Sequence, residues 1–127
     1  MTQSLEDYLE AIYILIMDKK VARVKDISQK LSVSKPSVIN ALKELEDRAY
    51  LQHERYGYVE LTKSGMKQAE IIFRKHTMLK GFLKNILGVS DKNAEADACR
   101  IEHYLSEETI SRIQDYLSSK KRDQLNG

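Results

Sequence analysis

Apolar residues recur at helical spacing along nearly all of the 127 residues, and the one break in that rhythm, over residues 50–61, decides what kind of helical protein this can be. Leu5, Leu9, Ile12 and Ile16, widened by Tyr8 and Leu15, predict a first helix over residues 4–18. Ser4 reads as its N-cap, with Asp7 three residues on as the capping-box partner. After a basic loop (Lys19, Lys20, Arg23), a short helix over residues 24–31 buries Ile27 and Leu31. A Ser32-Val33 turn leads to Ser34, which has the chemistry of an N-cap. Pro36 then falls in a first turn, where its missing N–H breaks no intrahelical bond, and Val38, Leu42 and Leu45 form the apolar stripe. Past this helix the period changes. Two short runs, 50–53 and 58–61, flank the turn Arg55-Tyr56-Gly57 and predict a β-hairpin. Two helices joined by a tight turn and followed by a hairpin make a winged helix-turn-helix.

The remainder returns to helix. A long segment over 63–87 places Ile72, Leu79 and Leu83 on one stripe with His76, and Gly88 ends it. Ser90 or Asp91 caps a helix reaching Leu105, and Ser106 caps a last one with Glu107 and Glu108 in its first turn. The tail Lys120-Lys121-Arg122 is expected to fray. The fold class is therefore mainly α, with an N-terminal winged helix-turn-helix over 1–70 and a C-terminal helical domain over 71–127. A chain of this size buries enough apolar surface to fold without staples. A single cysteine cannot form a disulfide within the chain, and there is no N-terminal apolar run or membrane-length apolar stretch. A cytoplasmic protein with no membrane partner is the expectation.

The net charge of +2 hides an uneven distribution. Residues 19–63 hold ten Lys and Arg against six Asp and Glu, whereas residues 89–108 hold two against six. The first segment suits phosphates and the second suits cations. In a helix-turn-helix, residues at the start of the second helix reach base edges while flanking groups hold phosphates. Here that helix begins Ser34-Lys35-Pro36-Ser37 and continues to Asn40. Hydroxyls, an ammonium, a side-chain amide and the exposed amide N–H groups of a helix start all suit phosphate oxygens or base edges. Arg23, Lys19 and Lys20, with Arg55 at the wing tip, add candidate phosphate contacts. The bland alternative is a solvated surface on a well-capped helix.

The acidic segment contains Cys99-x-x-Glu102-His103. On a helix, positions i, i+3 and i+4 share one face, so a thiol, a carboxylate and an imidazole converge there. His76 lies upstream, and Asp7 and Glu10, again three apart, form a second acidic pair on the first helix. Singly, each has an ordinary explanation: a cap for Asp7, a solvated carboxylate for Glu10, a half-buried histidine for His76, a small buried hydrophobe for Cys99. Together they form a candidate metal site.

The stretch Leu5-Glu6-Asp7-Tyr8-Leu9-Glu10-Ala11-Ile12-Tyr13, the winged helix ending in Leu61-Thr62-Lys63-Ser64-Gly65, and Ile101-Glu102-His103-Tyr104-Leu105-Ser106 resemble the diphtheria-toxin-repressor family. The resemblance covers nearly the whole chain and is greatest to the short manganese-transport-regulator branch, which lacks an SH3-like C-terminal domain. It implies a homodimer that represses transcription when a divalent metal is bound, with the second domain used for metal binding and dimerisation. It implies ligands at Asp7, Glu10, His76, Cys99, Glu102 and His103. Cys99 stands where the manganese branch has a bridging glutamate and matches the iron-regulating branch, whereas Asp7 matches the manganese branch. Lys80 and Glu95 fall where the iron branch has a glutamate and a histidine as ancillary ligands, so that second site is put in doubt.

Carboxylates and imidazole suit Mn²⁺ or Fe²⁺, and a thiolate shifts preference toward Fe²⁺, Co²⁺, Ni²⁺ or Zn²⁺. The expectation is Fe²⁺ ahead of Mn²⁺, with the later ions binding in vitro. The expected partner is an approximately palindromic double-stranded DNA operator. Two other classes use the same residues differently. A metal-dependent hydrolase would use metal-bound water, but no HExxH arrangement or separate general base is present. A winged-helix regulator that senses no metal would keep the DNA-binding half and treat the polar cluster as structural.

Overall fold

The computed structural model describes residues 1–53 and 57–126, with the backbone alone for 124–126. The helices are α1 (Gln3–Lys19), α2 (Val24–Leu31), α3 (Lys35–Asp47), α4 (Lys63–Gly81), α5 (Asp91–Ile101) and α6 (Glu107–Asn126), and the strands are β1 (Ala22–Arg23), β2 (Leu51–His53) and β3 (Tyr58–Leu61). The chain divides into two compact units, Met1–Phe73 and Arg74–Gly127, the division falling within the sequence of α4.

The first unit is the winged helix. Its core is built from Leu9 and Ile12 of α1, Ile27 of α2, Val38, Leu42 and Leu45 of α3, and Leu51 and Val59 of the strands, all buried. Each fully buried aliphatic side chain contributes about 1.5–3 kcal/mol relative to exposure, and their spacing on three helices forces those helices around one centre. Helix α1 begins earlier than its sequence suggests. Thr2, not Ser4, is the N-cap, its hydroxyl accepting the Leu5 N–H at 3.2 Å. Ser34 caps α3 as expected, accepting the Ser37 N–H at 3.2 Å, and Pro36 sits in the first turn. The short turn between α2 and α3 is closed by Ser32 in the left-handed region at φ 55°.

The hairpin is part of a three-stranded antiparallel sheet in the order β1-β3-β2. Ala22 pairs with Val59 and Leu51 with Leu61. Strand β1 lies in what its sequence presents as a plain basic loop. Two residues carry no alternation to read, and their pairing partner is distant in sequence. After β3, Thr62 organises the start of α4: its hydroxyl accepts the Gly65 N–H at 3.0 Å and donates to the Ala49 carbonyl at 2.6 Å. A Cβ on Gly65 would lie 1.8 Å from the Tyr50 carbonyl oxygen, so only glycine permits this close approach.

In the second unit, α4 passes into a π-helical turn (Phe82–Ile86), and Gly88 ends the segment in the left-handed conformation at φ 72°. Ser90 is the N-cap of α5, accepting the Asn93 N–H at 3.4 Å. Helix α5 stops at Ile101 rather than reaching Leu105. Residues 102–105 form turns in which Tyr104 and Leu105 both donate to the Ile101 carbonyl. Ser106 receives the Thr109 N–H at 3.1 Å at the start of α6, which continues through Lys120, Lys121 and Arg122 where the sequence suggested fraying. Leu79, Ala94 and Ala98 are buried, and Phe82 meets Tyr116 edge-on with centroids 6.4 Å apart.

Candidate metal centre and nucleic-acid interface

Helix α3 presents its first turn to solvent. Ser34, Lys35, Pro36, Ser37 and Asn40 are all exposed, while Val38, Ala41, Leu42 and Leu45 face the core. The helical period therefore separates a polar face from the packed one. The Ser34 and Ser37 hydroxyls are 2.8 Å apart, so the cap also ties these two candidate contacts into one fixed pair. Arg23, exposed on β1, donates from Nη2 to the Tyr58 hydroxyl at 2.7 Å, and its guanidinium lies 4.8 Å from the centre of that ring. A guanidinium carries five donors, and this contact uses one of them in setting Arg23 against the wing strand. Tyr58 is the residue that sequence reasoning missed here, because the contact exists only once β1 pairs with β3. Arg55 lies outside the described residues.

Within the second unit, three candidate ligands come together. His76 on α4 and Glu102, just past the end of α5, are buried, and His76 Nδ1 lies 3.2 Å from Glu102 Oε2. His103 Nε2 lies 3.3 Å from Glu102 Oε1, with both side chains almost fully enclosed. Despite these distances, neither Glu102 oxygen accepts a hydrogen bond among the described residues. A carboxylate taken out of water without hydrogen bonds is costly, and here its oxygens are approached by ring nitrogens out of hydrogen-bond alignment. Such a cluster of carboxylate oxygens and imidazole nitrogens fits a divalent cation, which would satisfy carboxylate and imidazole lone pairs together.

The other face of His76 is also engaged. His76 Nε2 lies 2.9 Å from Glu95 Oε1, and Glu95 Oε2 lies 3.0 Å from Lys80 Nζ. Lys80 further approaches Asp91 at 3.6 Å, and Lys84 Nζ donates to Asp91 at 3.1 Å. Partial burial works to raise the Glu95 carboxyl, but the hydrogen bonds from Lys80 and His76 outweigh it and hold the group below the usual carboxylate range. The same hydrogen bond and the charge of Glu95 raise the Lys80 ammonium. Glu95 is thus ionised at neutral pH and can only accept from His76. Glu95, Cys99 and Glu102 are spaced i, i+4, i+7, and that spacing is the signal that could have put Glu95 beside the ligand set.

Asp7, half-buried, and Glu10, buried, lie on α1 of the first unit. Cys99 is half-buried on α5, and among the described residues it joins no compact group of three or more donor atoms. No described helix is long and apolar enough to cross a membrane.

A winged helix with an exposed, well-capped second helix, followed by a unit with an enclosed carboxylate–imidazole cluster, is the arrangement of a DNA-binding regulator with a candidate ion site. Residues 1–59 match the N-terminal DNA-binding domain of the iron-dependent repressors, and residues 62–126 match their metal-binding and dimerisation domain. The chain belongs to the iron-dependent repressor family, whose members are metal-dependent transcriptional regulators and not enzymes. It is 41% identical over 123 residues to the HTH-type transcriptional regulator MntR of Geobacillus kaustophilus, covering 97% of this chain and 86% of that protein. Among solved structures it is similar to IdeR of T. acidophilum (TM-score 0.80, 31% identity, 89% of this chain). It is similar also to the manganese regulator SloR (TM-score 0.79, 31% identity, 93% of this chain). The chain spans 53% of the former and 55% of the latter, about half the length of each.

Proposed function

We propose that this chain is a homodimeric, cytoplasmic repressor of metal-homeostasis genes, switched on when a divalent ion is held by His76, Glu102 and His103 together with Asp7 and Glu10. The observation that carries the reading is the buried Glu102 carboxylate, flanked by two imidazoles and accepting no hydrogen bond among the described residues. Membership of the family supports the metal, the DNA and the dimer. The assignment of Asp7 and Glu10 rests on the match of their sequence segment to the family and on the acidic pair they form on one face of α1.

Asp7 and Glu10 of the DNA-binding unit and His76, Glu102 and His103 of the dimerisation unit would hold the ion, which would supply the positive charge and the empty coordination positions that these oxygen and nitrogen donors share. The protein's residues do the rest. Glu102, His76 and His103 hold their share of the site on one unit; Asp7 and Glu10 bring α1, whose apolar face packs in the same core as α3, under the same constraint. In a dimer this narrows the spread of separations between two recognition helices. Half-sites about 34 Å apart, or a multiple, are then engaged together, which fits an approximately palindromic operator. In that docking Lys35, Arg23 and Arg55 hold phosphates, the first turn of α3 with Ser34, Pro36 and Ser37 lies against the backbone, and Asn40 reads a base edge.

For the metal, the expectation of Fe²⁺ rested on Cys99, and the relatives do not support it. SloR is a manganese regulator, and a further similar structure, 26% identical, is a manganese-dependent repressor with manganese bound. Without the thiolate the donor set is three carboxylates and two imidazoles, a harder set that suits Mn²⁺ as well as Fe²⁺, and the manganese-regulating relatives tip the reading to Mn²⁺. Mn²⁺ is therefore the proposed signal, with Fe²⁺ as the competitor that a Cys99 ligand would select. Anaerobic equilibrium dialysis with Mn²⁺ tests the site: Glu102→Gln and His103→Ala are expected to lose tight binding, and retained tight binding in both would refute the assignment.

A further inference from the structure

We infer that Glu95, itself anchored by Lys80, is the positioning residue that fixes the His76 ring so that Nδ1 is presented to the metal. The inference rests on the proposed metal reading but concerns a residue outside the ligand set. His76 has two ring nitrogens, and they face different partners: Nε2 lies 2.9 Å from Glu95 Oε1, and Nδ1 lies 3.2 Å from Glu102 Oε2. A neutral imidazole carries one proton, and the carboxylate that accepts it selects the tautomer. With Nε2–H donated to Glu95, the Nδ1 lone pair is left to coordinate, as a ligating histidine requires.

Lys80 makes this arrangement specific. Its ammonium lies 3.0 Å from the other Glu95 oxygen, so the two oxygens of one carboxylate are divided between a histidine and a lysine. The ammonium thereby favours the orientation of Glu95 that faces His76 and partly neutralises its charge. A carboxylate already shared in this way acts on the metal through His76. Asp91, which touches both Lys80 and Lys84, completes the brace.

The test uses the full chain. In the metal-free wild type, ¹H–¹⁵N spectra recorded where imidazole is neutral are expected to show His76 as the Nε2–H tautomer. An Nδ1–H tautomer would overturn the inference without any variant being made. Glu95→Ala is expected to mix the tautomers and weaken Mn²⁺ and Co²⁺ binding by about 10–100-fold, the usual cost of losing an outer partner of a ligating histidine. Glu95→Gln keeps an acceptor oxygen and is expected to recover most of that loss. Equal losses in the two variants would show that the charge, not the acceptor, matters, and would overturn the inference. His76→Ala separates the two levels. If it leaves metal binding intact, the ligand reading fails; if it abolishes binding while Glu95→Ala changes nothing, only the positioning role fails.

Discussion

His76 Nδ1 and Glu102 Oε2 stand 3.2 Å apart, yet Glu102 accepts no hydrogen bond among the described residues. In a metal-free protein this leaves a buried carboxylate poorly compensated, so the site is built at the expense of stability. Glu102→Met is expected to raise the stability of the metal-free chain by about 1 kcal/mol or more while abolishing stabilisation by Mn²⁺. Thermal melts with and without the ion check this. A variant that is less stable without metal would show that Glu102 is satisfied by its histidine neighbours alone.

Ser34 has two roles that substitution separates. Ser34→Ala removes the N-cap of α3 and is expected to cost about 0.5–2 kcal/mol of stability. Ser34→Asp keeps a capping oxygen but sets a negative charge where phosphate is expected, so the fold should hold and DNA affinity should fall. Urea denaturation and a DNA titration report the two effects independently. Ser34→Asp binding DNA as tightly as wild type would remove this turn from the interface.

Lys35 and Asn40 are expected to differ in kind. Lys35→Ala should weaken binding to every sequence and flatten the salt dependence by roughly 0.9 in log–log slope for one lost phosphate contact. Asn40→Ala should relax preference at one base pair by about 1–3 kcal/mol. Selection from randomised duplexes distinguishes them, and an unchanged selected motif in the Asn40 variant would exclude it from base reading.

Gly65→Ala has a purely structural expectation. The added methyl would meet the Tyr50 carbonyl at 1.8 Å, so the joint between the wing and α4 must open. A loss of about 2 kcal/mol or more is expected in equilibrium unfolding. A neutral result would mean that the backbone here relaxes freely.

Much of this was legible in the sequence where the governing chemistry is local. Ser34, Pro36 and the Val38-Leu42-Leu45 stripe place α3 correctly because capping, proline geometry and helical period act within a few residues. The start of α1 was misplaced because Thr2 and Ser4 are both capping residues, and the Ser4–Asp7 spacing imitates a capping box. Helix α5 reads on to Leu105 because Ile101 and Leu105 keep the period, although the regular helix ends at Ile101. Long-range pairings left no local trace. The β1–β3 pairing that sets Arg23 against Tyr58 and the salt bridge from Lys80 to Glu95 join residues far apart in sequence. The His76–Glu102–His103 cluster was visible as residue types at a suggestive spacing, but the unsatisfied state of Glu102 is a property of burial alone.

Cys99 decides between the two candidate metals. On the proposed donor set, which omits the thiol, Co²⁺ is expected to bind without intense sulfur-to-metal charge-transfer absorption, and Cys99→Ser should leave selectivity between Mn²⁺ and Fe²⁺ unchanged. A strong thiolate band, lost in Cys99→Ser, would restore Fe²⁺ as the preferred signal.

Anaerobic fluorescence-anisotropy titration of the selected operator duplex, at buffered free Mn²⁺ and in chelator, reads whether an ion held through Glu102 and His103 switches on DNA binding. Metal is expected to tighten wild-type binding by roughly 5–150-fold, and operator DNA to tighten Mn²⁺ binding by the same factor, with both effects absent in His103→Ala. Equal operator affinity with Mn²⁺ and with chelator would show that the ion does not control DNA binding.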